Sequence, residues 1–496
     1  MARSLTVLYV AAEAYPYIKE TELADIAGGF PLAIREYGHD IRLLIPHYGC
    51  TSDKQNKIHH INRMSEINVK MANGKNEPFT IKSSSISNTR SKVQVYVACN
   101  QRYFESRKGI YHDPVKWVEY TDNLERFIYY SRTVVETCVT LGWYPDIIHC
   151  NNWHLALVPA YIRYFYPQKF KKTKTILTIH NIAEQGVYPI EMFDLLGLPD
   201  DARDSFVHKK QLNILKGGML YANQVTTTSE AYKEQISKDK ELTNGLNTLI
   251  KLNYDRIIGI NNGVDVNYWN PRKDIFIKKK LDNNVSEFKE ANKIELCKEC
   301  KLKYNENTPL LAVISQLNVQ KGIDILMDAI PTILEQNIQL IILGQGNKQI
   351  KEKLSKLRSK YSKEMALIFT SDDAMIHRVI AGIDMYLAPV RQEASALNFL
   401  YSLSYGTIPI VNLTGGIKDF TVSIKKTLTE NNNCFTLKTL SAVSLTNAVK
   451  DAINLYSNKE VWLKLVTNVI SKNYSWKELS LNLYDNVYRK VLKEYD

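Results

Sequence analysis

The sequence predicts an α/β protein built from two doubly wound, Rossmann-like halves that face each other across a cleft. Short apolar runs rich in β-branched residues alternate with longer amphipathic segments along its 496 residues. This alternation is typical of a parallel sheet covered by helices on both faces. The series starts a second time after a polar stretch at 271–308, which indicates two sheets. The length also suits two α/β domains of roughly 200–250 residues each.

The elements of the first half follow a repeated order of strand, loop and helix. Strands are predicted at Leu5–Ala12, Ile41–Ile45, Val93–Ala98, Ile147–Cys150, Thr175–Ile179, Gln224–Thr228 and Ile257–Ile260. Helices are predicted at Leu23–Tyr37, Asn123–Leu141, Leu155–Phe165 and Lys209–Tyr221. Gly38 follows the first of these helices and is expected to end it, because glycine adopts the left-handed conformation common at helix C-termini.

The second half repeats the pattern after a charged, helical stretch at Glu287–Lys303. Its strands are predicted at Leu310–Ser315, Gln339–Leu343, Met365–Phe369, Met385–Ala388 and Ile408–Val411. The break between the halves lies near Asn262–Pro271. We therefore expect an N-terminal domain at 1–263, a C-terminal domain at 264–473 and a final segment at 474–496.

The charge balance raises the question of an anionic partner. Lys and Arg number 64 against 52 Asp and Glu, a formal net charge of +12. Such an excess suits nucleic acid, a membrane surface or an anionic small molecule. The lysines lie in mixed runs such as 278–280 without a recognisable RNA- or DNA-binding motif, so we expect no nucleic-acid partner. Leu5–Ala12 is too short to span a membrane and lacks the flank of a cleavable signal, so we expect a cytoplasmic protein with no membrane partner.

The cysteines predict neither a disulfide framework nor a CxxC zinc site. There are seven, an odd number, and they are scattered along the chain. Cys297 and Cys300 form a CxxC, but a zinc site would need a second such pair or two histidines nearby. We interpret them as ordinary thiols one helical turn apart.

Polar groups collect in five loops that follow predicted strands, the place where doubly wound sheets bind ligands. These loops are Glu13–Asp25, Pro145–His154, Thr178–Gly186, Ser315–Gly322 and Pro389–Leu397. Lys19 lies just before a helix N-terminus, a place suited to phosphate, although the segment alone fits a surface lysine equally well. His180 and Asn181 suit hydrogen bonds to a sugar hydroxyl or a developing oxyanion, and the alternative is a structural histidine.

Lys321 and Glu393, in the fourth and fifth loops, predict a site for a sugar joined to a diphosphate. Lys321 would neutralise phosphate, and Glu393 would bind sugar hydroxyls. The sequence lacks GxxxxGK[ST], which disfavours a P-loop kinase or ATPase. The glycines at 344 and 346 fail the GxGxxG pattern, because position 349 is Gln.

Taken in order, the five loops and their flanking segments resemble the bacterial glycogen synthase and starch synthase family over nearly the whole chain. The matching segments are Ile147–His154, Thr178–Asn181, Gln185–Pro189, Lys216–Ala222, Asn262–Asp265, Trp269–Pro271, Gln320–Gly322, Tyr405–Pro409, Thr414–Gly416 and Tyr474–Trp476. Members are retaining glycosyltransferases with two facing Rossmann-like domains, the GT-B arrangement, and a last helix that crosses back onto the N-terminal domain. The resemblance implies transfer of glucose from ADP-glucose to the non-reducing end of an α-1,4-glucan such as glycogen, with retention.

The resemblance also implies roles for individual residues. Glu393 would bind the glucose hydroxyls, Lys321 the phosphate, and His180 the transferred glucose, and these are the implied catalytic residues. The implied substrate-binding residues are Lys19, Asn181, Asn262, Trp153, His154, Gln316, Ser395, Thr414 and Gly415. We expect no metal and no cofactor in the reaction, because cationic side chains would neutralise the leaving diphosphate.

The sequence departs from the family pattern around the donor. The KxGGL motif reads Lys19–Leu23 without its glycines, and Glu22 adds a negative charge. The arginine of the SRL motif is Gln316, the aromatic residue expected on adenine is Ser371, and EPCGL reads EASAL at 393–397. The chain is thus a divergent member, which leaves two alternatives. One is a catalytically weakened homologue that binds glucan or regulates another synthase, and the other is a retaining transferase that uses another sugar nucleotide.

Overall fold

The structure is a computed structural model that describes residues 3–425 and 428–493. The chain divides into an N-terminal unit, Met1–Asn262 with Leu479–Asp496, and a C-terminal unit, Gly263–Glu478. The first junction lies one residue before the boundary expected from the sequence, and the second lies five residues after it. Among the helices of the described ranges, none combines the length and apolar character that crossing a membrane requires.

The N-terminal unit contains a large sheet with helices on it. Its strands are β1 (Thr6–Val10), β2 (Asp40–Pro46), β3 (His59–His60), β4 (Ile67–Lys70), β5 (Asn76–Ser87), β6 (Lys92–Cys99), β7 (His112–Asp113), β8 (Val118–Glu119), β9 (Ile147–Asn151), β10 (Lys174–Ile179), β11 (Val187–Pro189), β12 (Val207–His208), β13 (Gln211–Asn213), β14 (Gln224–Thr227) and β15 (Ile257–Gly259). Its helices before the junction are α1 (Leu23–Tyr37), α2 (Asn123–Leu141), α3 (Val158–Phe165), α4 (Arg203–Phe206), α5 (Ile214–Tyr221), α6 (Glu230–Lys238) and α7 (Asn247–Leu252).

The strand order of this sheet places several loops at one edge. The order is β15-β14-β10-β9-β1-β2-β6-β5-β3, with β4 pairing on β5. The strands from β15 to β6 pair in parallel, whereas β5 is antiparallel to β6. The chain builds the sheet outward from β1 in both directions, with β2 on one side and β9 on the other. The loops that follow β1, β9 and β10 therefore begin side by side.

Among the elements of the N-terminal unit, two helix starts and strand β5 differ from the prediction. The helix expected at Lys209–Tyr221 begins at Ile214, because Gln211–Asn213 forms a strand that pairs with β11 and β12. Strand β5 was not predicted, since its buried positions alternate only in part with polar ones. The helix expected at Leu155–Phe165 begins at Val158, after a 3₁₀ turn. Both helix starts depend on contacts distant in sequence or on turn geometry rather than on amphipathic periodicity.

The C-terminal unit is a second doubly wound sheet. Its elements are α8 (Val285–Glu299), β16 (Leu310–Ile314), α9 (Ile323–Leu334), β17 (Gln339–Leu343), α10 (Lys348–Lys360), β18 (Met365–Ile368), α11 (Asp373–Gly382), β19 (Met385–Ala388), α12 (Leu397–Ser404), β20 (Ile408–Val411), α13 (Ile417–Phe420), β21 (Phe435–Thr436), α14 (Ala442–Ser457) and α15 (Lys459–Ile470). The parallel order β18-β17-β16-β19-β20-β21 is the 3-2-1-4-5-6 arrangement of Rossmann domains. The sequence predicted these strands within about one residue, except for the short β21.

The chain ends with α16 (Trp476–Leu479) and α17 (Leu481–Lys493). Helix α17 packs in the N-terminal unit, where the rings of Tyr484 and Phe30 lie 4.6 Å apart. The Tyr488 hydroxyl and His149 Nδ1 form a buried hydrogen bond of 2.8 Å. Aromatic packing and this polar contact join the last helix to α1 and β9.

Candidate active site

The first loop of the N-terminal unit is organised by acidic residues. Lys19 Nζ donates to both carboxylate oxygens of Asp25, at 2.8 Å each. Asp25 lies in the first turn of α1, so the ammonium group is fixed at the N-terminal end of that helix. The structure thus places Lys19 where a phosphate-binding lysine is expected, with a carboxylate that already compensates its charge.

Glu13 holds the same loop in place through hydrogen bonds. Its carboxylate accepts hydrogen bonds from the backbone N–H groups of Glu20 and Thr21 and from the hydroxyls of Thr21 and Tyr111, at 2.5–3.0 Å. The side chain is fully buried, and burial raises its pKa to about 7 despite these donors. Sequence reasoning did not single out Glu13, although its place directly after a buried strand was the available signal.

Glu20 ties the loop to a second segment. Its carboxylate accepts hydrogen bonds from the backbone N–H of Ile110, at 3.1 Å, and contacts His112 Nδ1 at 2.8 Å. The hydrogen bond from His112 raises the pKa of that imidazole. Together with the bonds that Glu13 accepts from Glu20 and Thr21, these contacts give the loop before α1 many hydrogen bonds.

His180 lies at the end of β10 with a defined protonation state. Burial lowers its pKa to about 3, so the imidazole is neutral at pH 7. The Asn151 amide donates to Val10 O, which leaves Asn151 Oδ1 as the acceptor of His180 Nε2–H at 2.8 Å. Nδ1, which lacks a hydrogen-bond partner within the described residues, therefore carries the lone pair. The ring can accept a hydrogen bond from a sugar hydroxyl, whereas the sequence suggested that it would donate one.

Asn181 and Asn262 differ in how their amides are used. Asn181 donates to Glu184 at 2.9 Å and accepts from the backbone N–H of Ala183, so its side chain stabilises the turn after β10. Asn262 is fully buried, yet neither its amide nitrogen nor its oxygen has a hydrogen-bond partner among the described residues. Buried amides are rarely left unsatisfied, which supports the expected contact of Asn262 with a polar ligand.

Trp153 and His154 lie in an aromatic cluster after β9. The two rings lie 4.2 Å apart, and His154 also contacts Phe127, with the ring centres 4.4 Å apart. Gly186 packs so closely on Trp153 that an added Cβ would lie 2.4 Å from the indole, so the loop after β10 requires glycine there. Both predicted substrate-binding side chains are buried and contact protein groups in this structure.

In the C-terminal unit, the strand order brings the two predicted catalytic loops together. Because β16 pairs directly with β19, the loop containing Lys321 and the loop containing Glu393 begin on adjacent strands. Lys321 Nζ lies 2.7 Å from Glu393 Oε2. Gly322, with φ of 71°, permits this approach, because an added Cβ would lie 1.9 Å from Pro389 O. The Glu393 side chain is 8% exposed, so the pair is largely shielded from water.

The remaining predicted residues surround Glu393. Ser395 Oγ donates to Glu393 Oε1 at 3.3 Å, and Thr414 Oγ1 donates to Arg391 O at 3.1 Å. Gly415 has a φ of 47°, in a turn where the next backbone N–H donates to Glu393 O. This turn fixes the backbone of Glu393 shortly before α12 begins at Leu397.

Gln316, which stands in place of the family's arginine, is exposed in the loop after β16. In the loop after β19, the guanidinium of Arg391 donates to both carboxylate oxygens of Asp324, at 2.7 Å each. It is bound through this bidentate pair and does not replace the missing arginine. Lys321 is therefore the cation that the structure places beside Glu393.

Comparisons with known proteins match the whole chain. The family described as starch synthase catalytic domain matches residues 6–251, and glycosyl transferases group 1 matches residues 298–462. The glycogen synthases of Chlorobaculum parvum and Chlorobaculum tepidum are each 34% identical, over 493 and 494 residues, which is 99% of this chain and of each relative. The solved catalytic domain of starch synthase IV from Arabidopsis thaliana, bound to ADP and acarbose, is 26% identical with a TM-score of 0.89. It matches over 99% of this chain and 100% of its own. These matches confirm the predicted pair of Rossmann-like domains.

Proposed function

The chain belongs to the family of glycogen and starch synthases and is a glycosyltransferase. From this premise we propose that it transfers glucose from ADP-glucose to the non-reducing end of an α-1,4-glucan, with retention of configuration. The Arabidopsis relative was solved with ADP and acarbose bound, which supports a nucleotide donor and a glucan-like acceptor. The cytoplasmic location expected from the sequence belongs to the same proposal.

The observation that carries the proposal is the ion pair between Lys321 and Glu393. In the ligand-free chain each charge neutralises the other, at 2.7 Å. When a sugar nucleotide binds, the ammonium group contacts the phosphate that leaves, and the carboxylate accepts hydrogen bonds from glucose hydroxyls. This exchange replaces one charge-assisted interaction by two: Lys321 gains an anionic partner in the phosphate, and the Glu393 carboxylate keeps hydrogen-bond donors in the hydroxyls that it orients.

In the proposed reaction, the bond between glucose C1 and the phosphate oxygen breaks, and ADP leaves with the bonding electrons. The 4-hydroxyl of the acceptor attacks C1 from the same face, and its proton passes to the departing phosphate oxygen. Lys321 stabilises the negative charge that develops on that phosphate. Lysine is thus assigned the neutralising role that a divalent metal has in other transferases.

The N-terminal unit supplies Lys19 and His180 in this proposal. Lys19 lies in the loop before α1, and its ammonium group, bound to Asp25 in the first turn of that helix, contacts the donor diphosphate or glucose where the helix dipole also favours an anion. His180 accepts a hydrogen bond from a hydroxyl of the transferred glucose at Nδ1. The low pKa of His180 means that this interaction does not change with pH near neutrality.

Radiolabelled transfer to glycogen tests the proposal. The purified chain is incubated with ADP-[¹⁴C]glucose or UDP-[¹⁴C]glucose and glycogen, and the polymer is then digested with an α-1,4-specific glucosidase. We expect incorporation from ADP-glucose and release of the label by the enzyme. Glu393→Gln should abolish most incorporation, whereas Glu335→Gln, at an exposed position of the same unit, should not.

One observation favours the weakened homologue as a second candidate. Asp25 engages Lys19, and Glu13 engages the backbone N–H groups of Glu20 and Thr21, so these donors already have protein partners. A chain that binds glycogen in a sedimentation assay but transfers no glucose from either nucleotide would support this candidate. Efficient transfer from UDP-glucose alone would instead indicate another sugar nucleotide.

A further inference from the structure

A cluster of possible metal ligands lies at the carboxyl ends of β2 and β6. His47 directly follows β2, Cys99 is the last residue of β6, and Glu105 ends the helical turn Gln101–Glu105 that comes next. The two strands are parallel neighbours, with Pro46 opposite Ala98. This register brings together side chains that the sequence separates by up to 58 positions, from 47 to 105.

The ligand atoms are close enough to share one ion. One ring nitrogen of His47, Sγ of Cys99 and a carboxylate oxygen of Glu105 all lie within 4.8 Å of one another. His47 and Cys99 are buried, and Glu105 is half-buried. Small side-chain rotations would bring each of these three atoms to the roughly 2.0–2.3 Å from a central ion that zinc requires.

The histidine is oriented with one nitrogen facing the cluster. Asp53 Oδ1 lies 2.5 Å from His47 Nε2, so that nitrogen carries the proton and donates it. His47 Nδ1 then presents its lone pair to Glu105 Oε1, at 3.4 Å. Nδ1 has no hydrogen-bond partner within the described residues, and the His47 side chain is 9% exposed. A buried ring nitrogen and a half-buried carboxylate oxygen that face each other at this distance call for a cation between them, either a proton or a metal ion.

We propose that His47 Nδ1, Cys99 Sγ and Glu105 bind one divalent transition-metal ion, with Zn²⁺ as the preferred occupant. A nitrogen, a sulfur and an oxygen ligand form the donor set that borderline-soft Zn²⁺ accepts. Asp53 orients the imidazole by accepting a hydrogen bond from its other nitrogen, Nε2, as carboxylates commonly do for metal-binding histidines. The ion would fasten the end of β2 to the turn after β6.

The charges of the cluster balance when the metal is bound. Lys82 Nζ donates to Asp53 Oδ2 at 2.8 Å, so these two groups neutralise each other. The Cys99 thiolate and the Glu105 carboxylate then neutralise the two positive charges of the ion. A metal-bound thiol is deprotonated, so binding releases the Cys99 proton to solvent.

Cobalt substitution of the full chain tests the proposal directly. The protein is stripped with a chelator and titrated with Co²⁺, whose thiolate complexes give a charge-transfer band in the near ultraviolet. We expect this band at one Co²⁺ per chain, and we expect one equivalent of Zn²⁺ to remove it. Cys99→Ser should abolish the band, whereas Cys50→Ser should keep it, because Cys50 is exposed nearby and outside the cluster.

Two further variants distinguish a metal from a proton at His47. Glu105→Gln should weaken Co²⁺ binding by more than the roughly 10- to 100-fold typical of an outer-shell change, and Asp53→Asn by about that amount. Thermal melting in chelator shows whether each variant is folded. The proposal is wrong if the folded wild type gives no thiolate band, or if Cys99→Ser binds as the wild type does. In the first case a proton alone lies between His47 and Glu105, and in the second the bound metal does not use Cys99.

Discussion

The ion pair of Lys321 and Glu393 allows stability and catalysis to be measured separately. Lys321→Met leaves the Glu393 carboxylate, whose side chain is 8% exposed, without its cation. Removing one partner of a buried pair costs about 3–5 kcal/mol. Because the Lys321 side chain is itself 23% exposed, we expect about 3 kcal/mol, at the lower end of that range. Ser395, at 3.3 Å, compensates only in part.

The double variant Lys321→Met with Glu393→Gln removes both charges and should regain most of that stability, within about 1 kcal/mol of the wild type. The kcat/KM of glucose transfer should not recover in the double variant as stability does. Loss of one charge-assisted contact to the leaving phosphate costs about 1.5–3 kcal/mol, or roughly 10- to 150-fold in kcat/KM. The double variant should therefore be stable and nearly inactive.

The measurements are urea unfolding, followed by tryptophan fluorescence, and initial rates of glucose transfer from ADP-glucose to glycogen for the wild type and the three variants. Additive losses of stability, with no recovery in the double variant, would show that the two charges are not coupled. A stable double variant with wild-type kcat/KM would remove both residues from the catalytic assignment.

Three other predictions concern the donor, pH and the last helix. Gln316→Arg should raise kcat/KM for ADP-glucose by up to the roughly 10- to 150-fold of one charge-assisted bond, and an unchanged value would mean that another cation has that role. The pKa of Glu13 is about 7 when folded and lies near 4.5 when unfolded, so the unfolded carboxyl loses its proton first and stability falls as pH rises from 4.5 to 7. Glu13→Gln should remove this decrease, which amounts to about 3 kcal/mol in the free energy of urea unfolding between pH 4.5 and 7. If the variant keeps the same dependence of stability on pH, other groups cause the decrease. Tyr488→Phe should cost about 1–3 kcal/mol, because it leaves His149 Nδ1 buried without its partner. Tyr484→Phe, whose hydroxyl makes no hydrogen bond within the described residues, is the control and should change stability by less than about 0.5 kcal/mol.

Local patterns predicted much of the fold. Helices Leu23–Tyr37 and Asn123–Leu141 have the predicted bounds, because each combines an amphipathic period with a glycine directly after its last turn. The buried strands were also recognisable, since parallel strands covered on both faces are apolar throughout. Strand Asn76–Ser87 was missed because its residues are mostly polar, and it is stabilised by antiparallel pairing with β6 on one side and with β3 and β4 on the other.

The candidate site, like the fold, was predictable from the sequence only in part. The sequence by itself determined which loops carry polar groups, because those loops follow recognisable strands, and it identified Lys321 and Glu393 as chemically suited to a sugar nucleotide. Only the tertiary structure decided that these two side chains meet, 72 positions apart, because the order of strands in the sheet determines which loops are neighbours. It also decided that Asp25 engages Lys19 and that His180 Nδ1 is an acceptor rather than a donor, since burial and hydrogen-bond partners, not residue type, determine charge and tautomer.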